Sequence, residues 1–211
     1  MVTFFGPLTR RVKYSVKVDG RHYSYAYYRE HYQHEIAEDC CKHCVYCDSH
    51  ELEMGGREAM QLDHFRPHTR PGFEYLKDDP TNFHHACARC NLLKSDWWES
   101  TVAGSPHDGL IGFIDPFADI RNKYFEVAID GELIPKQHPA QYMIELLALN
   151  RPHLKRLRER RIYRAKLERL IAEERPRLEA AASGTGILSE GQAIRIALEL
   201  IDLYDLCSEG V

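Results

Sequence analysis

A chain of 211 residues with 44% apolar content is long enough to bury a core as one domain, or as one domain with a helical appendage. No run of 18 apolar residues occurs, and the opening Met1-Val2-Thr3-Phe4-Phe5-Gly6-Pro7 lacks a signal-peptide profile. A membrane span is therefore not expected, and the reading is a soluble, cytoplasmic protein. The net charge of −4 conceals two basic segments, since residues 9–21 carry +4 and residues 151–177 carry +7, leaving −15 on the rest.

Residues 12–28 alternate around Asp19-Gly20, which predicts a hairpin between Val12–Val16 and His22–Tyr25. Six tyrosines lie between Tyr14 and Tyr32; they can stack on bases, but packing of a small domain's edge is the favoured reading. Gln61–Phe65 reads as a short strand, Pro67, Pro71, Gly72 and Pro80 mark an irregular loop, Asn82–Ala86 reads as a second strand, and Arg89–Trp98 as a helix. Leu110–Pro116 and Tyr124–Ile129 look like strands, the latter followed by an Asp130-Gly131 turn. From Pro139 the pattern is helical, with Asn150 and Pro152 expected to cap a long basic helix that Gly184 and Gly186 end. Ser189 and Gln192 have the spacing of a capping box for a last helix.

Seven cysteines, six of them between Cys40 and Cys90, are an odd set for disulfides. The spacing Cys44-x-x-Cys47 and Cys87-x-x-Cys90 instead suits two knuckles closing one tetrahedral, structural Zn²⁺ site. Cys41/Cys44 has the same spacing, so the first pair can slip; Cys44/Cys47 is chosen. Asp63-His64 lies between the knuckles, and Asn82 and Asn91 flank the second. A thiolate-bound zinc needs none of these four. They suit an oxygen-loving ion and a general base, because imidazole near neutrality takes a proton from water. Adjacent strand residues face opposite sides, so Asp63 and His64 are expected to divide the work, one on the ion and one on the water.

Residues 44–94 resemble the HNH (ββα-metal) endonucleases of the four-cysteine zinc-bound type. The resemblance rests on Cys44-Val45-Tyr46-Cys47, Leu62-Asp63-His64-Phe65-Arg66-Pro67, Thr81-Asn82-Phe83 and Cys87-Ala88-Arg89-Cys90-Asn91-Leu92-Leu93-Lys94. It implies a small zinc-stapled ββα-metal core, so the chain as a whole reads as α+β, with that core over 37–104 and an N-terminal hairpin and helix over 1–36 before it. A strand and turn segment over 105–138 and a helical extension over 139–211 follow. It further implies His64 as general base, Asp63 and Asn91 holding one Mg²⁺ or Mn²⁺ against the scissile phosphate, Asn82 pinning the loop and the histidine ring, and Lys94 facing phosphate. His84-His85 stand where the family usually has an aliphatic pair; both are read as strand histidines, with a substitute ligand or base as the alternative. Cys207, His107, His138 and His153 are read as structural or incidental.

Beyond this core, Gly112–Pro116 and the Leu149-Asn150-Arg151 junction look similar to bacterial HNH proteins of antiphage systems, Septu and retron-linked nucleases among them. That likeness implies a partner subunit, an ATPase. The reading is thus a metal-dependent endonuclease acting on DNA, with RNA and an oligomeric state left open. A non-catalytic zinc module binding nucleic acid or protein is the alternative. Arg156, Arg160 and Arg164 share one face of the basic helix, to track phosphates or to dock on an acidic partner.

Overall fold

The computed structural model describes residues 2–100 and 104–208; Met1, residues 101–103 and residues 209–211 lie outside the described residues, and with them the ends of the expected segments. In chain order the elements are α1 (Tyr25–His31), α2 (Gln33–Asp39), β1 (Met60–His64), β2 (Phe83–Cys87), α3 (Ala88–Lys94), β3 (Phe125–Val127), β4 (Leu133–Pro135), α4 (Ala140–Leu146), α5 (Pro152–Ala182) and α6 (Glu190–Ser208). Among the described residues the sheets are two antiparallel pairs, β1–β2 and β3–β4. The architecture is α+β, a ββα unit with a four-cysteine cluster at its base.

β1 and β2 pair with Asp63 opposite His84 and His64 opposite Phe83. Cross-strand partners share a face, so Asp63 and His64 project to opposite sides. β2 is buried along its whole length, and α3 starts directly after it, packing on both strands. Helix α3 stops at Lys94 rather than running on to Trp98, because Ser95 turns to a φ of 46°.

Three sequence expectations shift. The hairpin around Asp19-Gly20 reduces to a turn with a single bridge, Val16 to His22, and the end of its second arm turns into α1, where the Ser24 hydroxyl accepts from the Tyr27 amide. An N-cap so placed makes the helix locally satisfied, which the alternation pattern does not register. Leu110–Pro116 forms no strand; His107 and Gly112 make one bridge there. Asn150 does not cap α5. Its side chain accepts from the Leu133 amide (2.7 Å) and donates to the Leu133 carbonyl (2.9 Å), clamping β4 instead. The Ser189/Gln192 box does form, with Gln192 Oε1 accepting from the Ser189 amide at 2.9 Å. Of the six tyrosines, Tyr14 and Tyr28 are buried and Tyr23, Tyr25 and Tyr32 half-buried, while Tyr27 is exposed.

One apolar cluster runs from Phe5 through the knuckles, β1, β2, Phe113, Phe125, Leu133 and α4 to Leu154 and Leu157 of α5. The first turns of α5 are thus part of the core. Arginines fasten them. Arg158, 1% exposed, donates to the Gly131 carbonyl (2.6 Å) and the Leu149 carbonyl (2.8 Å). Arg161 pairs with Asp48 (3.1 Å) and Glu53 (3.2 Å), and buried Arg121 donates to the Val45 carbonyl (3.0 Å). Gly131 has a φ of 78°, and a Cβ there would lie 1.9 Å from the Lys155 carbonyl, so only glycine lets this turn lie on α5.

Candidate active site

Cys44, Cys47, Cys87 and Cys90 are all buried, with their sulfurs within 4.8 Å of one another. Zinc–sulfur bonds of about 2.3 Å in a tetrahedron place sulfurs roughly 3.8 Å apart; Cys47 and Cys87 are at 3.9 Å. The donor set is soft, complete and closed, so it fits a structural zinc ion. Cys40 is buried outside the group and Cys41 is exposed, which resolves the register of the first knuckle as Cys44/Cys47. Arg151, at the head of α5, points its guanidinium at this centre, 3.5 Å from the Cys90 sulfur and 3.7 Å from that of Cys87.

Around the last residues of β1, a cleft of about 270 Å³ is bordered by Tyr25, Asp63, His64, His68, Asn91 and Asp96 among others. The His64 imidazole lies between the rings of Tyr25 and His68, each 4.3 Å away, with Phe83 edge-on at 5.2 Å. Its Nε2 is 2.8 Å from the Lys77 carbonyl. A carbonyl only accepts, so Nε2 carries the proton and Nδ1 holds the lone pair. Burial pushes the imidazole pKa down to about 4, with nearby His68 and Lys94 adding to the effect, so the ring is neutral near pH 7.

Asn82 is buried and closes a two-way bridge to Arg66, its Oδ1 accepting from the amide and its Nδ2 donating to the carbonyl, both at 2.9 Å. The same Nδ2 lies 3.5 Å from the Leu76 carbonyl, next to the Lys77 that receives His64. Asn82 therefore ties both ends of the 66–77 loop to the histidine's support.

Asp63 is 5% exposed. Its Oδ2 accepts from the Tyr46 hydroxyl at 2.5 Å, and its Oδ1 lies 3.2 Å from the Lys94 ammonium. Burial raises its pKa while Lys94 and Tyr46 pull the other way. Asn91, on α3, donates its Nδ2 to Gln61 Oε1 at 2.6 Å, which leaves its carbonyl oxygen unused by that bond. Asp63, His64 and Asn91 border one cleft; Asn82 supports it from behind.

Lys94 corrects its expected role. It is fully buried, and its ammonium goes to Asp63, to the His64 carbonyl (2.8 Å) and to the Ser95 carbonyl (3.5 Å). It holds the carboxylate from within rather than facing phosphate. His84 and His85 are also buried and do not border the cleft: His84 stacks on Phe65 at 4.6 Å, and His85 lies 3.5 Å from Glu51. On α5, Arg156 and Arg164 are exposed and Arg160 is half-buried, away from the core contacts of Arg151, Arg158 and Arg161. The sequence reading missed Tyr46, whose place inside the first knuckle was the available signal, and Tyr25 and His68, which carry none in sequence.

Residues 44–96 match the family model for HNH endonuclease, a stretch that spans both knuckles, β1, β2 and α3. A protein of Vibrio cholerae serotype O1 biovar El Tor named "Retron Vc95 putative HNH endonuclease" is 27% identical over 129 residues. The match covers 57% of this chain and 58% of that protein, so the chain spans less than two thirds of its relative's length. No solved structure matches significantly.

Proposed function

We propose that the protein is a metal-dependent HNH endonuclease that hydrolyses phosphodiester bonds in DNA. The observation that carries this reading is the neutral His64, held by the Lys77 carbonyl so that Nδ1 is a lone-pair acceptor, in the cleft it shares with Asp63 and Asn91. Nδ1 would take a proton from the attacking water. The tilted rings of Tyr25 and His68 beside it and the Asn82-braced loop would hold the imidazole to that task.

Cys44, Cys47, Cys87 and Cys90 would hold Zn²⁺ as a structural staple. Among the described residues no second group of three or more His, Cys, Asp or Glu side chains is close enough to share an ion. The catalytic Mg²⁺ or Mn²⁺ would rest on Asp63 and Asn91, which border the same cleft, and on oxygens of the substrate phosphate. When bound, that ion supplies charge neutralisation at the phosphorus and the leaving 3′ oxygen. We also place the protein in bacterial antiphage defence beside a partner subunit, a reading supported by the retron in the relative's name.

A plasmid-cleavage assay with EDTA and metal add-back tests the proposal. Cleavage that stops on chelation of Mg²⁺ and returns with Mg²⁺ or Mn²⁺, with zinc retained, is the expected result. Cleavage of RNA alone would redirect the substrate; cleavage indifferent to EDTA would refute the two-site arrangement.

A further inference from the structure

The proposed reaction uses Asp63 but leaves unexplained why its carboxylate is enclosed. Tyr46 is 1% exposed and Lys94 fully buried, and between them they engage both carboxylate oxygens, Tyr46 on Oδ2 at 2.5 Å and Lys94 on Oδ1 at 3.2 Å. Tyr46 is also the residue inside the Cys44-x-x-Cys47 knuckle. The knuckle is fixed in turn, with the Val45 amide donating to the His85 carbonyl of β2 at 3.0 Å and the Val45 carbonyl accepting from Arg121 at 3.0 Å. One side chain therefore runs from the thiolate centre to the carboxylate of the cleft.

We infer that Tyr46 is a positioning residue that couples the zinc knuckle to Asp63, setting the orientation in which the carboxylate meets the catalytic ion. The inference rests on the nuclease reading and deepens it. A carboxylate offers about four lone-pair sites, so one hydrogen bond to Oδ2 fixes the plane of the group without exhausting it. The hydroxyl donates to Asp63, and the ring meets Phe113 edge-on at 6.3 Å, so the phenol cannot swing away without opening the core. Partners of this kind behind a metal-ligating side chain govern affinity for the ion, and their loss typically costs about 10–100-fold.

The test is Tyr46→Phe, which removes one oxygen and keeps the ring. Zinc content by atomic emission, Mn²⁺ binding by electron paramagnetic resonance and the Mn²⁺ dependence of cleavage are measured on the full chain with a duplex oligonucleotide. The expected result is one zinc per chain, as in wild type, with the Mn²⁺ concentration for half-saturation raised by about tenfold or more and partial recovery of rate at high Mn²⁺. A half-saturation within twofold of wild type, zinc retained, overturns the coupling while leaving the nuclease reading standing. Wild-type protein that neither binds Mn²⁺ nor cleaves overturns both. If the variant misfolds, 3-fluorotyrosine at position 46 in otherwise native protein replaces it. Its fluorine resonance is expected to shift when Mg²⁺ and duplex are added together, and an unmoved resonance overturns the inference.

Discussion

His64 shows how strongly environment sets chemistry at a single residue. Free imidazole titrates near 6.5, whereas burial holds this ring down to about 4. The free-enzyme cleavage efficiency, kcat/KM, is therefore expected to stay level from pH 8 towards pH 5, with its acid limb near pH 4; a limb centred at 6.5 would show that the ring is not held as described. The same shift acts on stability with a definite sign. Between pH 6.5 and 4 the unfolded chain binds a proton that folded His64 refuses, so this contribution destabilises as pH falls through that window. Buried His85, also pushed down to about 4, and His84, held well below its usual range by burial, act in the same direction. At this scale motif order picked out Asp63, His64 and Asn91, which border one cleft, and Asn82, which braces the loop behind it. It misread Lys94, since the same residue type at the same spacing can turn outward to phosphate or inward to Asp63, and burial decides.

Among the elements, β1, β2, α3 and the last two helices were legible to within a few residues, their patterns being local. The 12–28 hairpin and the 110–116 strand were not, since an alternating run becomes a strand only where a partner strand receives it. The docking of α5 was equally hidden. Its arginines look alike in sequence, yet Arg151, Arg158 and Arg161 reach the thiolates, the Gly131 turn and Asp48, while Arg156 and Arg164 stay exposed. Asp48 is the joint of this clamp, buried against Arg161 at 3.1 Å and Arg121 at 3.9 Å. Removing one member of a buried ionic group strands the others, so Asp48→Ala is expected to destabilise by about 3 kcal/mol in urea unfolding. A change below about 0.5 kcal/mol would mean that solvent already satisfies both arginines.

For the whole molecule, the charge distribution bears on how nucleic acid is held. The chain is anionic overall, but residues 151–177 carry +7, part of which the core contacts of Arg151, Arg158 and Arg161 absorb. If the outer face tracks phosphates, Arg156→Glu, Arg160→Glu and Arg164→Glu together should weaken duplex binding. The log–log salt dependence should also flatten, by roughly 0.9 for each phosphate the variant no longer neutralises. An unchanged slope with loss of a co-purifying protein would assign that face to partner docking instead.

The central claim, a water-activating His64 beside a separate structural zinc, is tested most directly by comparing His64→Ala with wild type for cleavage, zinc content and circular dichroism in parallel. The expected result is native dichroism, one zinc per chain, and cleavage reduced by about 10²–10⁴-fold. Cleavage within a few-fold of wild type by a folded, zinc-loaded variant would contradict it.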